Sequence, residues 1–165
     1  GERLEQWTRE FLELEAAGWK GEAGSALASQ ADTHGFFADA LAGAATAGRL
    51  ERLALRLDGT PVAMLANFLS APGAFSFKTA FDESHARFSP GLLLQLENLA
   101  LLERPGIAWA DSCAAEGHSM IERLWREKRG FASHNIAIGS PVRRALFAAL
   151  MRWENRGGKQ RRRRS

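Results

Sequence analysis

The 165-residue chain is 45% hydrophobic and 25% charged, a balance that fits one globular domain with a sizeable core. No apolar run approaches the roughly 20 residues needed to cross a bilayer, the first residues carry no signal-peptide pattern, and a single cysteine, Cys113, excludes an internal disulfide and a cysteine-cluster metal site. The net charge of +3 arises at the chain end, where six basic residues fall in the last ten; the remainder has 16 basic residues against 19 acidic. The expected organisation is therefore one mildly acidic domain over residues 1–153 and a basic, disordered tail over 154–165. A solvated tail is favoured over a nucleic-acid-binding arm, because no aromatic residue interrupts its charges and no basic stripe lies elsewhere. A reducing cytoplasm is compatible with this cysteine usage.

Leu4, Trp7, Phe11 and Leu14 recur at helical spacing and predict an amphipathic first helix stopped by Gly18. A second helix is expected from Thr33 to Ala47, carrying Phe36, Phe37 and Leu41 and ended by Gly48. Leu53–Leu57 and Val62–Leu69 flank the turn Asp58-Gly59 and predict a β-hairpin. Ala74–Phe81 adds a third strand and completes an antiparallel meander.

Next comes a helix opening at Ser89-Pro90-Gly91 and running to Glu103. Serine is a favoured N-cap, proline is tolerated at the first helical position, and glycine lets a ligand approach the backbone. The amides of Gly91, Leu92 and Leu93, with the helix dipole, would suit a phosphate or diphosphate. Many helices open this way without a ligand, and Leu92–Leu102 reads as core. Ile107–Ser112 predicts a short buried strand. Ser119 with Glu122 forms a capping box opening a helix that presents Met120, Ile121, Leu124 and Trp125 on one side and is ended by Gly130, Phe131–Ile138 predicts another strand, and Pro141–Trp153 a terminal helix. The order predicts an α+β fold with helices covering a mostly antiparallel sheet.

This order, with the segment Arg87–Gly91 after the meander, resembles the GNAT superfamily of acyl-CoA-dependent N-acyltransferases. Leu14-Glu15, Gly18-Trp19-Lys20-Gly21, Phe36-Phe37, Asp58-Gly59, Phe77–Glu83 and Ser89-Pro90-Gly91 are similar to its FemAB/CelD-like branch, and the likeness spans residues 11 to 140. It implies a three-layer fold with a splayed sheet, and acetyl-CoA or another acyl-CoA held at Arg87, Phe88, Ser89, Pro90, Gly91, Leu92 and Leu93. It also implies transfer to the amine of a small molecule, sugar or amino acid. Members of the branch often carry two related halves; the absence of an initiator methionine fits the later half of a longer chain with an upstream partner domain. The chain departs from the superfamily in its single-glycine loop and in having no tyrosine, a residue that often protonates the leaving thiolate. A noncatalytic half-domain is the alternative these departures favour.

Direct acyl transfer needs a base, a polarised carbonyl and a proton donor. Backbone amides near Thr79–Phe81 are expected at the carbonyl. Asp82 is the preferred base, with a turn-capping role equally consistent with its position. His118 is the preferred proton donor. Lys78 either faces the substrate side of its strand, opposite Phe77, or is an ordinary exposed lysine. Glu83, His85, Asp111 and Cys113 complete the candidate polar site, although Cys113 reads more readily as a small packed residue than as a nucleophile. Trp19, Trp109 and Trp125 pack the core or line a cleft. Four scattered histidines, including His34 and His134, provide no metal-ligand spacing.

Overall fold

In the computed structural model the described residues are 2–18, 27–29, 31–118, 120–132 and 134–161. Trp19, Lys20, Gly21 and Ser119 lie outside them. The chain divides into two compact units, Gly1–Glu127 and Lys128–Ser165.

In the first unit, helix α1 (Glu2–Ala17) buries Trp7, Phe11 and Leu12, and helix α2 (Ala31–Thr46) buries Phe37 and Leu41. Phe36 does not join them and is 64% exposed; one residue along a helix turns the side chain by about 100°, so only the 37/41 pair faces inward. Strands β1 (Leu50–Leu57), β2 (Thr60–Ser70) and β3 (Gly73–Phe81) form the expected antiparallel meander. Asp58 (φ 49°) and Gly59 (φ 83°) are both left-handed, as a two-residue hairpin turn matched to strand twist requires.

Helix α3 (Pro90–Asn98) continues into a 3-10 turn at Leu99–Glu103. Strand β4 (Trp109–Asp111) then pairs parallel to the start of β3, giving the sheet order β1-β2-β3-β4. Side chains of β2 alternate between two cores. Met64 and Ala66 join α1 and α2 on one face, whereas Ala63 and Leu65 meet Leu94 of α3 on the other. The result is the expected three-layer arrangement.

Three expectations change. The leucine-rich run 92–102 is only partly core: Leu94 and Leu101 are buried with Gln95 and Asn98, while Leu93, Leu96, Leu99 and Leu102 are exposed, because only one stripe of a helix can face the sheet. The helix expected after Ser119 is a single 3-10 turn, Ile121–Arg123; one buried residue, Ile121, is little return on the cost of nucleating a longer helix. Phe131–Ile138 is not a strand among its described residues, since a β-favouring composition forms a strand only when tertiary context pairs it.

In the second unit, Ser140 opens helix α4 (Pro141–Arg161). Its Oγ lies 3.5 Å from the Arg143 amide, and Pro141 occupies the first helical position. The helix passes Trp153 into the segment expected to be disordered, where arginine, glutamate, lysine and glutamine are good helix formers; residues 162–165 fall outside the description. No helix among the described residues is long and apolar enough to cross a membrane.

Candidate active site

The site begins where β3 and β4 part. Their parallel pairing covers Gly73↔Trp109, Ala74↔Ala110 and Phe75↔Asp111, and stops. Asp111 ends it: its Oδ1 accepts a hydrogen bond from the Cys113 amide at 2.8 Å, while Ser112 Oγ lies 3.4 Å from the Ala114 amide. Such side-chain bonds to the backbone two residues on turn the chain out of a ladder, and Cys113 takes a left-handed conformation (φ 53°). The edge of β3 from residue 76 to 81 is thus left without a strand partner on that side among the described residues. A cavity of about 550 Å³ opens along it, walled also by the end of α1, Gln95 of α3 and residues from the segment 112–121.

A β-bulge distributes side chains around this cavity. Register shifts between Ala66↔Lys78 and Asn67↔Ser76, leaving Phe77 unpaired. Consequently Phe77 and Lys78 both reach toward the α1–α2 side instead of alternating. Phe77 packs on Phe37 and Phe68 with centroids 6.1 and 4.9 Å away, and Lys78 Nζ lies 4.0 Å from Glu15 Oε1. Ser76 and Thr79 both face α3. There Ser76 Oγ donates to Asn67 Oδ1 (3.0 Å), Asn67 Nδ2 donates to Asn98 Oδ1 (2.8 Å), Asn98 Nδ2 donates to Ser76 Oγ (3.1 Å), and Gln95 Nε2 donates to Thr79 Oγ1 (3.3 Å). These residues fasten the bulged strand to α3 through a buried polar network whose members satisfy one another.

Of the candidate polar residues, Lys78, Glu83, Cys113 and His118 line the cavity. Asp82, His85 and Asp111 do not. Asp82 is the N-cap of a 3-10 turn, Glu83–Phe88: its Oδ1 accepts the Ser84 amide (2.9 Å), and its Oδ2 lies 2.9 Å from His85 Nδ1. The Ser84 hydroxyl and amide, with His85 beside them, hold the Asp82 carboxyl below the usual carboxylate range. Cys113 is exposed, with Sγ 3.9 Å from the Asp111 carbonyl oxygen. Trp109 serves packing: its ring fills the space above Gly73 and meets Phe75 edge-on at 5.2 Å.

The turn before α3 differs from the expected phosphate cradle. Ser89 is left-handed (φ 51°) and makes no side-chain cap bond. Its amide donates to the Ala86 carbonyl, and its own carbonyl accepts from both Leu92 (2.9 Å) and Leu93 (3.1 Å). Of the three amides expected to await an anion, Leu92 and Leu93 are therefore spent. A Cβ on Gly91 would meet Met120 Sδ at 3.0 Å and Phe81 at 3.4 Å, so the small residue there makes room for packing. Exposed Arg87, its guanidinium 4.4 Å from the Phe88 ring, leaves a cation at the loop.

Glu15 and Gln95 carry no site role in the sequence reading, yet both are buried in the cavity wall. Each interrupts an apolar pattern. Glu15 follows Phe11 by four residues on the buried stripe of α1, and Gln95 lies between leucines with Asn98 one turn on. A polar residue at a core position of a helix is the signal that identifies them.

A sheet that splays after one short parallel pairing, with a helix on the strand that stays open, defines an acyltransferase architecture. The chain belongs to the acetyltransferase (GNAT) domain family, whose sequence profile matches residues 2–120. Its fold is similar to that of a ribosomal-protein-alanine N-acetyltransferase from Brucella melitensis biovar Abortus 2308, with 17% identity, 81% of this chain and 94% of that chain covered, and a TM-score of 0.53. It is also similar to an aminoglycoside 6'-N-acetyltransferase from Acinetobacter haemolyticus, with 15% identity, 82% and 95% coverage, and a TM-score of 0.58. A third likeness is to AAC(6')-Iy in complex with a CoA-containing bisubstrate analogue, with 14% identity, 82% and 93% coverage, and a TM-score of 0.53. No curated protein sequence matches the chain.

Acetyl-CoA is the cofactor of this family. The unpaired strand edge suits an extended arm carrying amide groups, since its N–H and C=O groups on that side need partners. The turn before α3 suits a diphosphate less well, offering the Gly91 amide and the Arg87 charge in place of three amides.

Proposed function

We propose that this domain transfers an acyl group, acetyl first of all, from acyl-CoA directly to the amine of a small-molecule, sugar or amino-acid-type acceptor. The observation that carries this reading is the parting of β3 from β4, which exposes the 76–81 edge to a cavity containing Lys78, Glu83 and His118. The cofactor, when bound, supplies an acyl group activated as a thioester. Backbone amides of 79–81 polarise the carbonyl. Glu83, at the cavity wall, is the carboxylate that receives the acceptor's ammonium proton; Asp82, with its oxygens engaged and its basicity lowered, holds the turn that carries Glu83. His118 would give a proton to the thiolate sulfur as the C–S bond breaks and the N–C bond forms, and Arg87 with the Gly91 amide would meet the diphosphate.

The finer assignment to the FemAB/CelD-like branch is supported by the residues that carry that likeness, of which Leu14, Glu15, Gly18, Phe77–Phe81 and Glu83 line one cavity. Thiol release from acetyl-CoA, followed across a panel of amines, tests the activity. His118→Ala should slow it by about 10²-fold or more, the usual worth of a positioned acid or base, whereas an unchanged rate would remove His118 from the reaction.

The engagement of the Leu92 and Leu93 amides by Ser89 favours a second reading, a noncatalytic GNAT-like domain that binds or packs. That reading requires that no amine be acylated, and a folded protein that fails to bind acetyl-CoA would favour it.

A further inference from the structure

We infer that helix α4 docks flat on the surface of an anionic phospholipid bilayer, with its apolar face in the boundary between headgroups and acyl chains and its arginines at the lipid phosphates. Within the second unit, α4 is used on one side only. Phe147 and Met151 are half-buried there, and Asn135 Nδ2 donates to Met151 Sδ at 3.3 Å. Val142, Leu146, Leu150 and Trp153 are each more than half exposed. At about 100° per residue these four fall within roughly 80° of one another, so they form one stripe, and Phe147 and Met151 lie farther round the helix. Phe131, Ile136 and Ile138 of the same unit are exposed as well.

Charge selects the occupant of this stripe. Residues 128–165 contain 11 basic side chains against one acidic, Glu154. On α4, Arg143, Arg144 and Arg152 are exposed, and helical spacing puts Arg143 and Arg152 on the two flanks of the stripe. A second copy of α4 would bring like charges together. A nucleic acid would meet the arginines but leave the aliphatic side chains of Val142, Leu146 and Leu150 in water, because bases stack on aromatic rings and guanidinium planes. An anionic bilayer answers both properties. Its headgroups attract the basic residues, its acyl boundary takes the aliphatic ones, and tryptophan, as at Trp153, favours that interface. No described helix is long and apolar enough to cross a membrane, so α4 would lie on the surface.

The test uses the full chain and two kinds of vesicle, phosphatidylcholine alone and phosphatidylcholine with about one-third phosphatidylglycerol. Cosedimentation at low salt should show binding to the anionic vesicles about tenfold or more tighter than to the neutral ones, the scale of two or more basic side chains at a charged surface, and high salt should weaken it. Leu146→Asp with Leu150→Asp should abolish the binding. Absent or equal binding to the two vesicles, binding that survives the double substitution, or tighter binding to a single-stranded RNA than to the anionic vesicles would each overturn the inference. A second readout does not depend on the double variant folding. Phosphatidylcholine brominated along its acyl chains, mixed with phosphatidylglycerol, should quench the tryptophan fluorescence of the wild type, and Trp153→Phe should remove most of that quenching; quenching that Trp153→Phe leaves unchanged would overturn the inference.

Discussion

Lys78 Nζ stands 4.0 Å from Oε1 of Glu15, a carboxylate whose side chain is 1% exposed and whose other oxygen accepts the Leu27 amide. One side chain therefore joins the end of α1, the bulged strand and the segment that follows α1. Glu15→Ala should lower stability by about 1–3 kcal/mol by orphaning the Leu27 amide, with Glu15→Gln costing less because it keeps an acceptor. Urea unfolding of the two variants checks this ordering.

Gly73 is required by Trp109. A Cβ there would lie 2.3 Å from the indole ring, at the pairing that precedes the opening of the cavity. Gly73→Ala should destabilise the fold by about 1–3 kcal/mol, as overpacking commonly does, and weaken β3–β4 pairing. Faster hydrogen exchange at Ala74 and Ala110 would report that weakening; unchanged exchange would contradict it.

Asn98 donates to Ser76 and accepts from Asn67 inside the sheet–α3 interface. Asn98→Ala removes a partner from each of Asn67, Ser76 and Gln95 and should cost about 2–4 kcal/mol, read as a lower midpoint in thermal unfolding. A loss below 1 kcal/mol, within the range of a surface substitution, would show that the network contributes little.

Asp82 is held below its ordinary value of 3.8, first by the Ser84 hydroxyl, then by the Ser84 amide and His85. A depressed carboxyl contributes stability that is fully present above the unfolded value and is lost as pH falls through the lower folded value. The acid limb of the stability–pH profile should therefore be shallower in Asp82→Asn than in the wild type. Identical acid limbs would mean that the cap bonds do not persist in solution.

Periodicity and turn chemistry made α1, α2, the meander, α3 and α4 legible, because each rests on local pattern. Phe131–Ile138 misled for the opposite reason: a strand is made by pairing with residues distant in sequence, which local composition does not report. The candidate site was partly legible. Lys78, Glu83, Cys113 and His118 line one cavity, but the bulge at Phe77 was invisible, so Lys78 was expected opposite Phe77 and lies on the same side. Ser89 looks like an N-cap by residue type, yet its left-handed backbone directs its carbonyl, and not its hydroxyl, to the amides of α3. Asp82 showed the converse, since residue type alone could not choose between a base and a cap.

On the proposed function, the 76–81 edge and the turn before α3 together receive acyl-CoA. Isothermal titration of the full chain with acetyl-CoA, alongside CoA and dephospho-CoA, tests it most directly. Saturable binding near one equivalent, weakened by Arg87→Ala, is the expected result. No measurable heat or displacement from a protein shown to be folded would rule out this cofactor site and leave the noncatalytic domain in its place.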